Sequence, residues 1–223
     1  MTIEELAKYI DHTLLKPEAR AENIIQLCRE ATHWGFYAVC VQPCWVELAS
    51  QQLEGTAVKV ASVVGFPHGA NTTYIKAREA EQAVSDGAQE IDMVMNLGWA
   101  MDGQWKRVEE DITEVVQHAQ PALVKVILET GLLTREQIVS ACKVAQQAGA
   151  HFVKTSTGFN SGGAEVEVVR LMVQTVGSSM LVKASGGIRD VETALKMIEA
   201  GASRLGMSSA VQMMQGIGSQ DGY

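Results

Sequence analysis

Short apolar runs alternate with longer amphipathic segments along the chain. The apolar runs are rich in Val or Ile and several are closed by glycine, a pattern typical of strands buried in a parallel sheet. Eight such runs are predicted to be strands: Asp11–Leu15, Ala38–Val41, Val58–Phe66, Glu90–Asn96, Leu123–Thr130, Phe152–Gly158, Leu181–Gly187 and Arg204–Ser208.

The segments between these runs place apolar residues at spacings of three and four, which predicts helices. The predicted helices are Ala21–Thr32, Thr73–Ser85, Lys106–Ala119, Arg135–Gln147, Glu165–Val176 and Val191–Ala200. Several stop at a glycine that leads into the next apolar run, as expected of a left-handed C-terminal cap. These glycines are Gly35, Gly87, Gly149 and Gly201. Thr134 and Gln137 have the spacing of a capping box at a helix start.

Eight strands that alternate with helices predict a closed (β/α)8 TIM barrel. Because no low-complexity linker or change in composition divides the chain, we expect residues 1–223 to form a single domain. A short N-terminal helix and a flexible, glycine-rich C-terminal tail are expected to flank the barrel.

Three consecutive apolar runs each contain a lysine. Lys125, Lys154 and Lys183 recur at intervals of 29 residues, about one strand–helix unit, so we expect three adjacent strands to carry a lysine at one level of the barrel. Burial of an ammonium group is unfavourable or lowers its pKa. Schiff-base chemistry needs an unprotonated amine, and a second cation nearby lowers the pKa of that amine further.

Side-chain alternation along the strands predicts that Lys154, Lys183 and Asp92 all point into the barrel, and that Lys125 points inward together with Glu129. Catalytic groups of such barrels lie at the C-terminal ends of the strands. The pattern therefore indicates an active site built around an amine. A buried ion-pair network without chemistry is the alternative, because buried charges are usually paired.

The seventh and eighth predicted strands each end in a glycine-containing loop. One contains Gly186 and Gly187, and the other contains Gly206, Ser208 and Ser209. Both expose backbone N–H groups at a helix N-terminus, which favours a phosphate, and these are the loops that usually bind phosphate in this barrel. The alternative is that the glycines only form tight turns.

Composition narrows the range of partners. The 223 residues carry a net charge of −8 and no basic run, which argues against nucleic-acid binding but not against a small phosphorylated ligand. Neither a signal-peptide pattern nor an apolar run of membrane-spanning length is present. The sequence therefore predicts a cytoplasmic protein with reduced cysteines and no membrane partner.

Histidine and cysteine spacing does not resemble a metal site. Cys40 and Cys44 lack a second pair at zinc-like spacing, and the histidines show no paired motif, so neither a metal nor a cofactor is predicted. We interpret His12 as a structural residue and His68 as a surface residue. Dinucleotide-binding, Walker and G-x-S-x-G motifs are absent from the sequence.

Taken in order, these motifs resemble the class I 2-deoxyribose-5-phosphate aldolases over nearly the whole chain. The matching segments are Ile10–Leu15, Val39–Val41, Val64–Gly69, Glu90–Val94, Val153–Phe159, Val182–Arg189 and Gly206–Ser209. One position departs from the pattern, because some members have a lysine where Phe159 stands here. The departure implies a phosphate held mainly by backbone and hydroxyl groups.

The resemblance implies a role for each matching residue. Lys154 would form the Schiff base, Lys183 would perturb Lys154 and help to relay protons, and Asp92 would act with Lys183 and a water as acid and base. Tyr223 matches a C-terminal tyrosine that reaches back to the site in some members of the family. Substrate contacts are implied for Asp11, Thr13 and Cys40, and Lys125 is expected beside them, paired with Asp92. Phosphate-binding positions are implied at Gly158, Gly186, Gly187, Gly206, Ser208 and Ser209.

The implied activity is the reversible cleavage of 2-deoxy-D-ribose 5-phosphate to acetaldehyde and D-glyceraldehyde 3-phosphate, in deoxyribose phosphate catabolism. The resemblance also suggests a homodimer or homotetramer. One alternative is another Schiff-base barrel aldolase, of the transaldolase or fructose-bisphosphate type, which would act on ketose phosphates. A second alternative is a sugar-phosphate binding protein without catalysis. A bound ligand would stabilise such a protein but would not be turned over.

Overall fold

Eight parallel strands close into a barrel in sequential order. The structure, a computed structural model, describes residues 1–160 and 162–216. The strands are β1 (Ile10–Leu14), β2 (Ala38–Val41), β3 (Lys59–Val64), β4 (Glu90–Val94), β5 (Leu123–Ile127), β6 (Phe152–Lys154), β7 (Leu181–Ser185) and β8 (Arg204–Met207). β8 pairs with β1, which closes the barrel. The prediction of a (β/α)8 TIM barrel is confirmed.

Helices occupy the connections between the strands. They are α1 (Ile3–Ala7), α2 (Ala21–Trp34), α3 (Val46–Gln52), α4 (Thr73–Ser85), α5 (Leu97–Met101), α6 (Trp105–His118), α7 (Arg135–Gln147), α8 (Val166–Val176), α9 (Val191–Glu199) and α10 (Ala210–Met214). Two short 3-10 turns lie at Pro43–Trp45 and Thr130–Leu132. The six predicted helices are present within two residues of their predicted ends, and the short N-terminal helix is α1.

Local signals explain where several helices begin and end. Thr134 accepts a hydrogen bond from the backbone of Gln137, and the Gln137 side chain accepts one from the Thr134 backbone, which forms the predicted capping box of α7. α2 ends at Gly35 with a φ of 66°, a left-handed cap that glycine adopts without a steric penalty. The short helices α3, α5 and α10 were not predicted, because five to seven residues give too few apolar repeats to show a period.

Side-chain alternation separates an apolar outer layer from an interior that carries the charged side chains. Ile91 and Met93 of β4 are fully buried in the main hydrophobic core, whereas Glu90 and Asp92 on the other face bond to charged side chains of neighbouring strands. The same alternation places Val153 in the core next to Lys154. The helices therefore pack on the hydrophobic face, and the chemistry-bearing residues share the inner face.

The strand register corrects the prediction that all three lysines lie at one level. Lys154 is directly opposite Lys183, as expected. Lys125, however, lies opposite Asp92 and Phe152, and Ile127 of its strand is the residue that faces Lys154. Lys125 is thus two residues lower in the barrel. Closed barrels stagger neighbouring strands, and an equal interval in the sequence does not reveal that stagger.

Strand ends also differ from the predicted runs. β5 ends at Ile127, and the expected inward strand position of Glu129 is wrong, because Glu129 lies beyond the strand with a φ of 55°. β6 ends at Lys154, so Gly158 belongs to the following loop. The prediction that residues 1–223 form one domain stays a prediction. The expected flexible tail and Tyr223 lie outside the described residues.

Candidate active site

The barrel interior holds a cluster of buried charges from six strands. Its members are the cations Lys125, Lys154, Lys183 and Arg204 and the carboxylates Asp11, Glu90 and Asp92. We call this set the charge cluster. Each member is joined to another member by at least one ion pair.

Asp92 connects the three lysines. Its Oδ2 lies 2.9 Å from Nζ of Lys154 and 2.8 Å from Nζ of Lys183, while its Oδ1 lies 2.7 Å from Nζ of Lys125. The expected pairing of Lys125 with Asp92 is therefore present. Lys183 also bonds to Asp11, a residue of β1. A single carboxylate thus links the two lysines that face each other at the upper level of the cluster.

A lower layer of the cluster lies on the N-terminal side of Asp92. Glu90 lies 2.5 Å from Nζ of Lys125 and 3.2 Å from the guanidinium of Arg204. Arg204 also contacts Asp11 at 2.9 Å and stacks over the ring of Tyr37 at 3.4 Å. This layer provides paired charges that support Asp11 and Asp92 from below.

The electrostatics of the cluster distinguish Lys154 from the other cations. Burial lowers the pKa of Lys154, and the charge on Lys183 lowers it further, against the attraction of Asp92. Burial alone would also lower the pKa of Lys183, but Asp11 and Asp92 raise it well above its usual value. Burial alone would raise the pKa of Asp92, but the charges of the three lysines hold it well below its usual range. Lys183 therefore stays charged, and Lys154 is the amine most readily neutral.

The charge balance of the cluster leads to the same conclusion. Its three carboxylates are matched by Lys125, Lys183 and Arg204, so the cluster is neutral when Lys154 is unprotonated. Among the three lysines of the charge cluster, Lys154 has the most exposed side chain, at 3% against 0% for Lys125 and Lys183. A neutral amine can act as a nucleophile.

Thr13 and Cys40 face each other across β1 and β2. The Thr13 hydroxyl donates to the backbone oxygen of Asp11 at 2.9 Å, which ties it to the charge cluster. Burial raises the pKa of the Cys40 thiol to about 11, and the charge on Asp92 raises it as well. Cys40 therefore stays a neutral thiol, and it packs in a small apolar cluster with Ala61 and Val63 of β3.

A cavity of about 210 Å³ lies over the loops that follow β6, β7 and β8 and over the end of β8, which contains Gly206. All six predicted phosphate positions line it: Gly158, Gly186, Gly187, Gly206, Ser208 and Ser209. Gly158, Gly186 and Gly187 have φ values of 86°, 85° and 77°, which glycine adopts far more readily than other residues. The loops can therefore present backbone N–H groups in an arrangement that other residues would strain.

Gly206 connects this cavity to the charge cluster. A Cβ atom at Gly206 would lie 3.0 Å from Cε of Lys183, so the cavity wall and the buried lysine are in contact. Close approach also shapes the other wall, because a Cβ at Gly163 would lie 2.5 Å from the backbone oxygen of Gly186. One ligand could thus reach both the cavity and the amines.

Sequence reasoning missed several residues of the site. Arg189 and Asn160 line the cavity, although no role was predicted for either. Arg189 directly follows the glycine loop, so a cation after Gly186 and Gly187 was an available signal. Arg204 belongs to the charge cluster, yet it stands at the start of an apolar run, where an arginine usually indicates the surface.

The remaining candidates lie away from the charge cluster. His12 is buried and bonds to Glu30 at 2.8 Å, as a structural histidine would, and His68 is exposed. Phe159 stacks edge-on against Phe66 at 5.2 Å. Within residues 1–160 and 162–216, no group of three or more His, Cys, Asp or Glu side chains is arranged to hold a metal ion. In the same ranges, no helix has the length and apolar character needed to cross a membrane.

Comparison with known families agrees with this site. A model described as the DeoC/LacD family aldolase matches residues 5–216. The chain belongs to this family. The match spans all eight strands, and hence every strand residue of the charge cluster and every loop of the cavity.

Two deoxyribose-phosphate aldolases are similar to the chain over nearly their full length. The chain is 52% identical over 219 residues to the deoxyribose-phosphate aldolase of Mannheimia succiniciproducens, and this match covers 98% of each chain. It is 56% identical over 216 residues to the enzyme of the same name from Thermococcus gammatolerans, and this match covers 95% of this chain and 96% of the relative.

A solved structure extends the similarity to the fold. The structure is described as the tetrameric deoxyribose phosphate aldolase from Aeropyrum pernix, and it matches with a TM-score of 0.90 and 35% identity. The match covers 96% of this chain and 91% of that chain. The resemblance inferred from the motifs is confirmed.

Proposed function

We propose that the chain is a class I aldolase that reversibly cleaves 2-deoxy-D-ribose 5-phosphate to acetaldehyde and D-glyceraldehyde 3-phosphate. The observation that carries the proposal is a buried amine of lowered pKa, Lys154, in a charge cluster that adjoins a glycine-lined cavity. The first provides a nucleophile and the second provides an anion site. An aldehyde sugar with a terminal phosphate needs both.

The proposed reaction begins when the neutral Nζ of Lys154 adds to the C1 aldehyde of the substrate. Loss of water from the adduct gives an iminium ion, which draws electrons from the neighbouring carbon. A base removes the proton of the C3 hydroxyl, the C2–C3 bond breaks, and its electron pair forms an enamine. Glyceraldehyde 3-phosphate leaves at this step, because C3 becomes its aldehyde carbon.

The second half of the reaction returns the amine. An acid protonates the enamine at C2, and water hydrolyses the resulting iminium to acetaldehyde and free Lys154. We assign these proton transfers to Asp92 and Lys183 through water, because both bond to each other and lie beside Lys154. Such general acid–base catalysis contributes roughly 10²–10⁴-fold in rate. Tyr223 is a further candidate for the enamine step from the sequence alone.

Asp11, Thr13 and Cys40 are assigned to the aldehyde and hydroxyl ends of the substrate. Asp11 bonds to Lys183, the Thr13 hydroxyl bonds to the backbone oxygen of Asp11, and Cys40 supplies a neutral thiol. We assign the phosphate to the six glycine and serine positions that line the cavity, near the N-terminus of α9. Lys125 does not line that cavity, and its role is to pair with Asp92 and Glu90.

A substrate panel tests the proposed activity against the ketose alternative. The purified chain should release acetaldehyde from 2-deoxyribose 5-phosphate and leave fructose 1,6-bisphosphate and fructose 6-phosphate unchanged. Cleavage of a ketose phosphate in preference to the aldose would contradict the proposal. Stabilisation by deoxyribose 5-phosphate without any turnover would instead favour a binding protein.

We also propose that the chain works as a homodimer or homotetramer in the cytoplasm. The tetrameric relative from Aeropyrum pernix supports an oligomer, and the reduced state of the four cysteines is compatible with a cytoplasmic site. Light scattering coupled to size-exclusion chromatography would give the number of subunits. A monomer at micromolar concentration would contradict the oligomer.

A further inference from the structure

Glu129 has an unusual backbone conformation and a buried side chain. Within the described ranges it is the one non-glycine residue with a positive φ, at φ 55° and ψ 59°, and it is 2% exposed. A left-handed backbone is unfavourable for a residue with a Cβ, and residues strained in this way cluster at functional sites. The charge cluster does not include Glu129, and neither the motifs nor the family resemblance assigns it a role.

The Glu129 carboxylate is directed at the loop that follows β6. It accepts hydrogen bonds from the backbone N–H of Thr157 at 3.2 Å, from the Thr157 hydroxyl, and from Nδ2 of Asn160 at 2.9 Å. Thr157 is buried and Asn160 lines the glycine cavity. One carboxylate therefore holds both ends of the segment formed by residues 157–160.

These contacts set the conformation of the turn between them. Because the Thr157 hydroxyl donates a hydrogen bond to Glu129, its oxygen is oriented to accept one from the backbone N–H of Phe159, at 3.1 Å. That bond closes a tight turn around Gly158, which has a φ of 86° and lines the cavity. The hydrogen bonds of the Glu129 carboxylate thereby help to fix the position of Gly158.

The backbone around Glu129 holds the strained residue in place. The N–H of Thr130 donates to the oxygen of Thr155 at 2.9 Å, and the N–H of Leu132 donates to the oxygen of Glu129 at 3.0 Å. Both bonds would be disturbed if Glu129 relaxed to an extended conformation. The chain therefore turns away from β5 at Glu129 and leaves the carboxylate against the loop.

We propose that Glu129 is a positioning residue for phosphate recognition: its carboxylate holds residues 157–160 in the shape that lets the cavity accept the substrate phosphate. The proposal rests on the proposed function for the identity of the substrate. Glu129 does not line the cavity itself. Its effect on a phosphorylated ligand is transmitted through Thr157, Gly158 and Asn160.

The Glu129→Gln variant tests this role with the smallest change in volume. A carboxylate accepts from several donors, whereas the glutamine amide turns an NH2 group toward the N–H, O–H and NH2 donors of the loop. We expect the KM for deoxyribose 5-phosphate to rise roughly tenfold or more, as for the loss of a charge-assisted hydrogen bond. The kcat/KM for unphosphorylated 2-deoxyribose should stay within about twofold of the wild type, since that substrate does not use the cavity.

Further variants separate the carboxylate from the backbone. Glu129→Gly relieves the left-handed strain but removes the acceptor, so it should show the same loss for the phosphorylated substrate. Thr157→Val removes the hydroxyl that links Glu129 to Phe159 and should give a loss of the same kind. Glu136→Gln, a change at an exposed carboxylate on α7, is the matched control and should leave both substrates unaffected.

Binding of inorganic phosphate, measured by titration calorimetry, keeps the proposal independent of turnover. Weaker phosphate binding by the Glu129→Gln and Thr157→Val variants supports it. Equal losses for both sugars, or phosphate binding as tight as or tighter than in the wild type, would overturn it. A wild-type chain that binds phosphate but cleaves neither sugar would overturn the proposed function while the calorimetric comparison still tests Glu129.

Discussion

Replacement of Lys183 by methionine tests whether this cation keeps Lys154 reactive. The substitution keeps the side chain as far as its Cε position and removes the charged Nζ. Lys183 lowers the pKa of Lys154, so its loss should raise that pKa and leave less neutral amine near pH 7. We therefore expect Schiff-base formation by the Lys183→Met variant to be slow at neutral pH and to recover as the pH rises.

The size of the effect follows from the geometry around Asp92. The Nζ atoms of Lys154 and Lys183 lie 2.9 and 2.8 Å from the same Asp92 oxygen, so they are at most about 6 Å apart. Two unit charges at that distance repel each other by roughly 3 kcal/mol at an effective dielectric constant of about 20. Removal of this repulsion corresponds to a loss of roughly 100-fold in the reactive amine.

The assay should measure iminium formation alone. Incubation with acetaldehyde and cyanoborohydride, followed by mass spectrometry of the intact chain, gives the trapping rate without the later proton transfers. The rates are measured from about pH 6 to pH 10 and divided by the wild-type rate at each pH. The sign is fixed by the raised pKa of Lys154 in the variant: its relative rate is lowest at low pH and increases as Lys154 loses its proton.

Lys125→Met is the matched control, because it removes another buried cation from Asp92. Lys125 bonds to the other carboxylate oxygen and also to Glu90, so its loss should slow trapping less than the loss of Lys183. Circular dichroism establishes that both variants are folded. Unchanged trapping by folded Lys183→Met at pH 7, or a loss that is the same at every pH, would refute the reasoning.

Two further predictions concern buried groups outside the charge cluster. Lys76 pairs with Asp111 at 2.7 Å, and both side chains are 0% exposed. Lys76→Met leaves the Asp111 charge buried without this partner, so it should lower the free energy of unfolding, measured in urea, by about 3–5 kcal/mol. A loss below about 1 kcal/mol would contradict this account. A thiol reagent at about pH 8 should label Cys44 alone in the native protein, because burial raises the pKa of Cys28 and Cys40 to about 11 and of Cys142 to about 12. Rapid labelling of a second thiol before unfolding would contradict the burial of these side chains.

Alternation and periodicity explain why the architecture was predictable. The direction of side chains repeats every two residues in a strand and every 3.6 in a helix. The apolar runs and the inward direction of Asp92, Lys154 and Lys183 could therefore be inferred from short stretches of sequence. Their convergence then followed from the closure of the barrel. The order of strands needed no further information, because consecutive strands pair in this fold.

The register and the loop conformations could not be inferred in the same way. The level of Lys125 depends on the stagger between β5 and β6, a property of the whole closed sheet that the 29-residue interval does not encode. Glu129 adopts a left-handed conformation because backbone bonds from Thr130 to Thr155 and from Leu132 to Glu129 hold it there. The local sequence around Glu129 contains no signal for that geometry, since glycine is the residue that normally occupies it.

The most direct test of the central claim is to locate the covalent adduct. The chain is treated with acetaldehyde and borohydride, digested, and mapped by tandem mass spectrometry. The account predicts one ethyl group per chain, on Lys154, and none in a Lys154→Arg variant. An adduct on Lys183 or Lys125 in place of Lys154, or no adduct on any lysine, would contradict it.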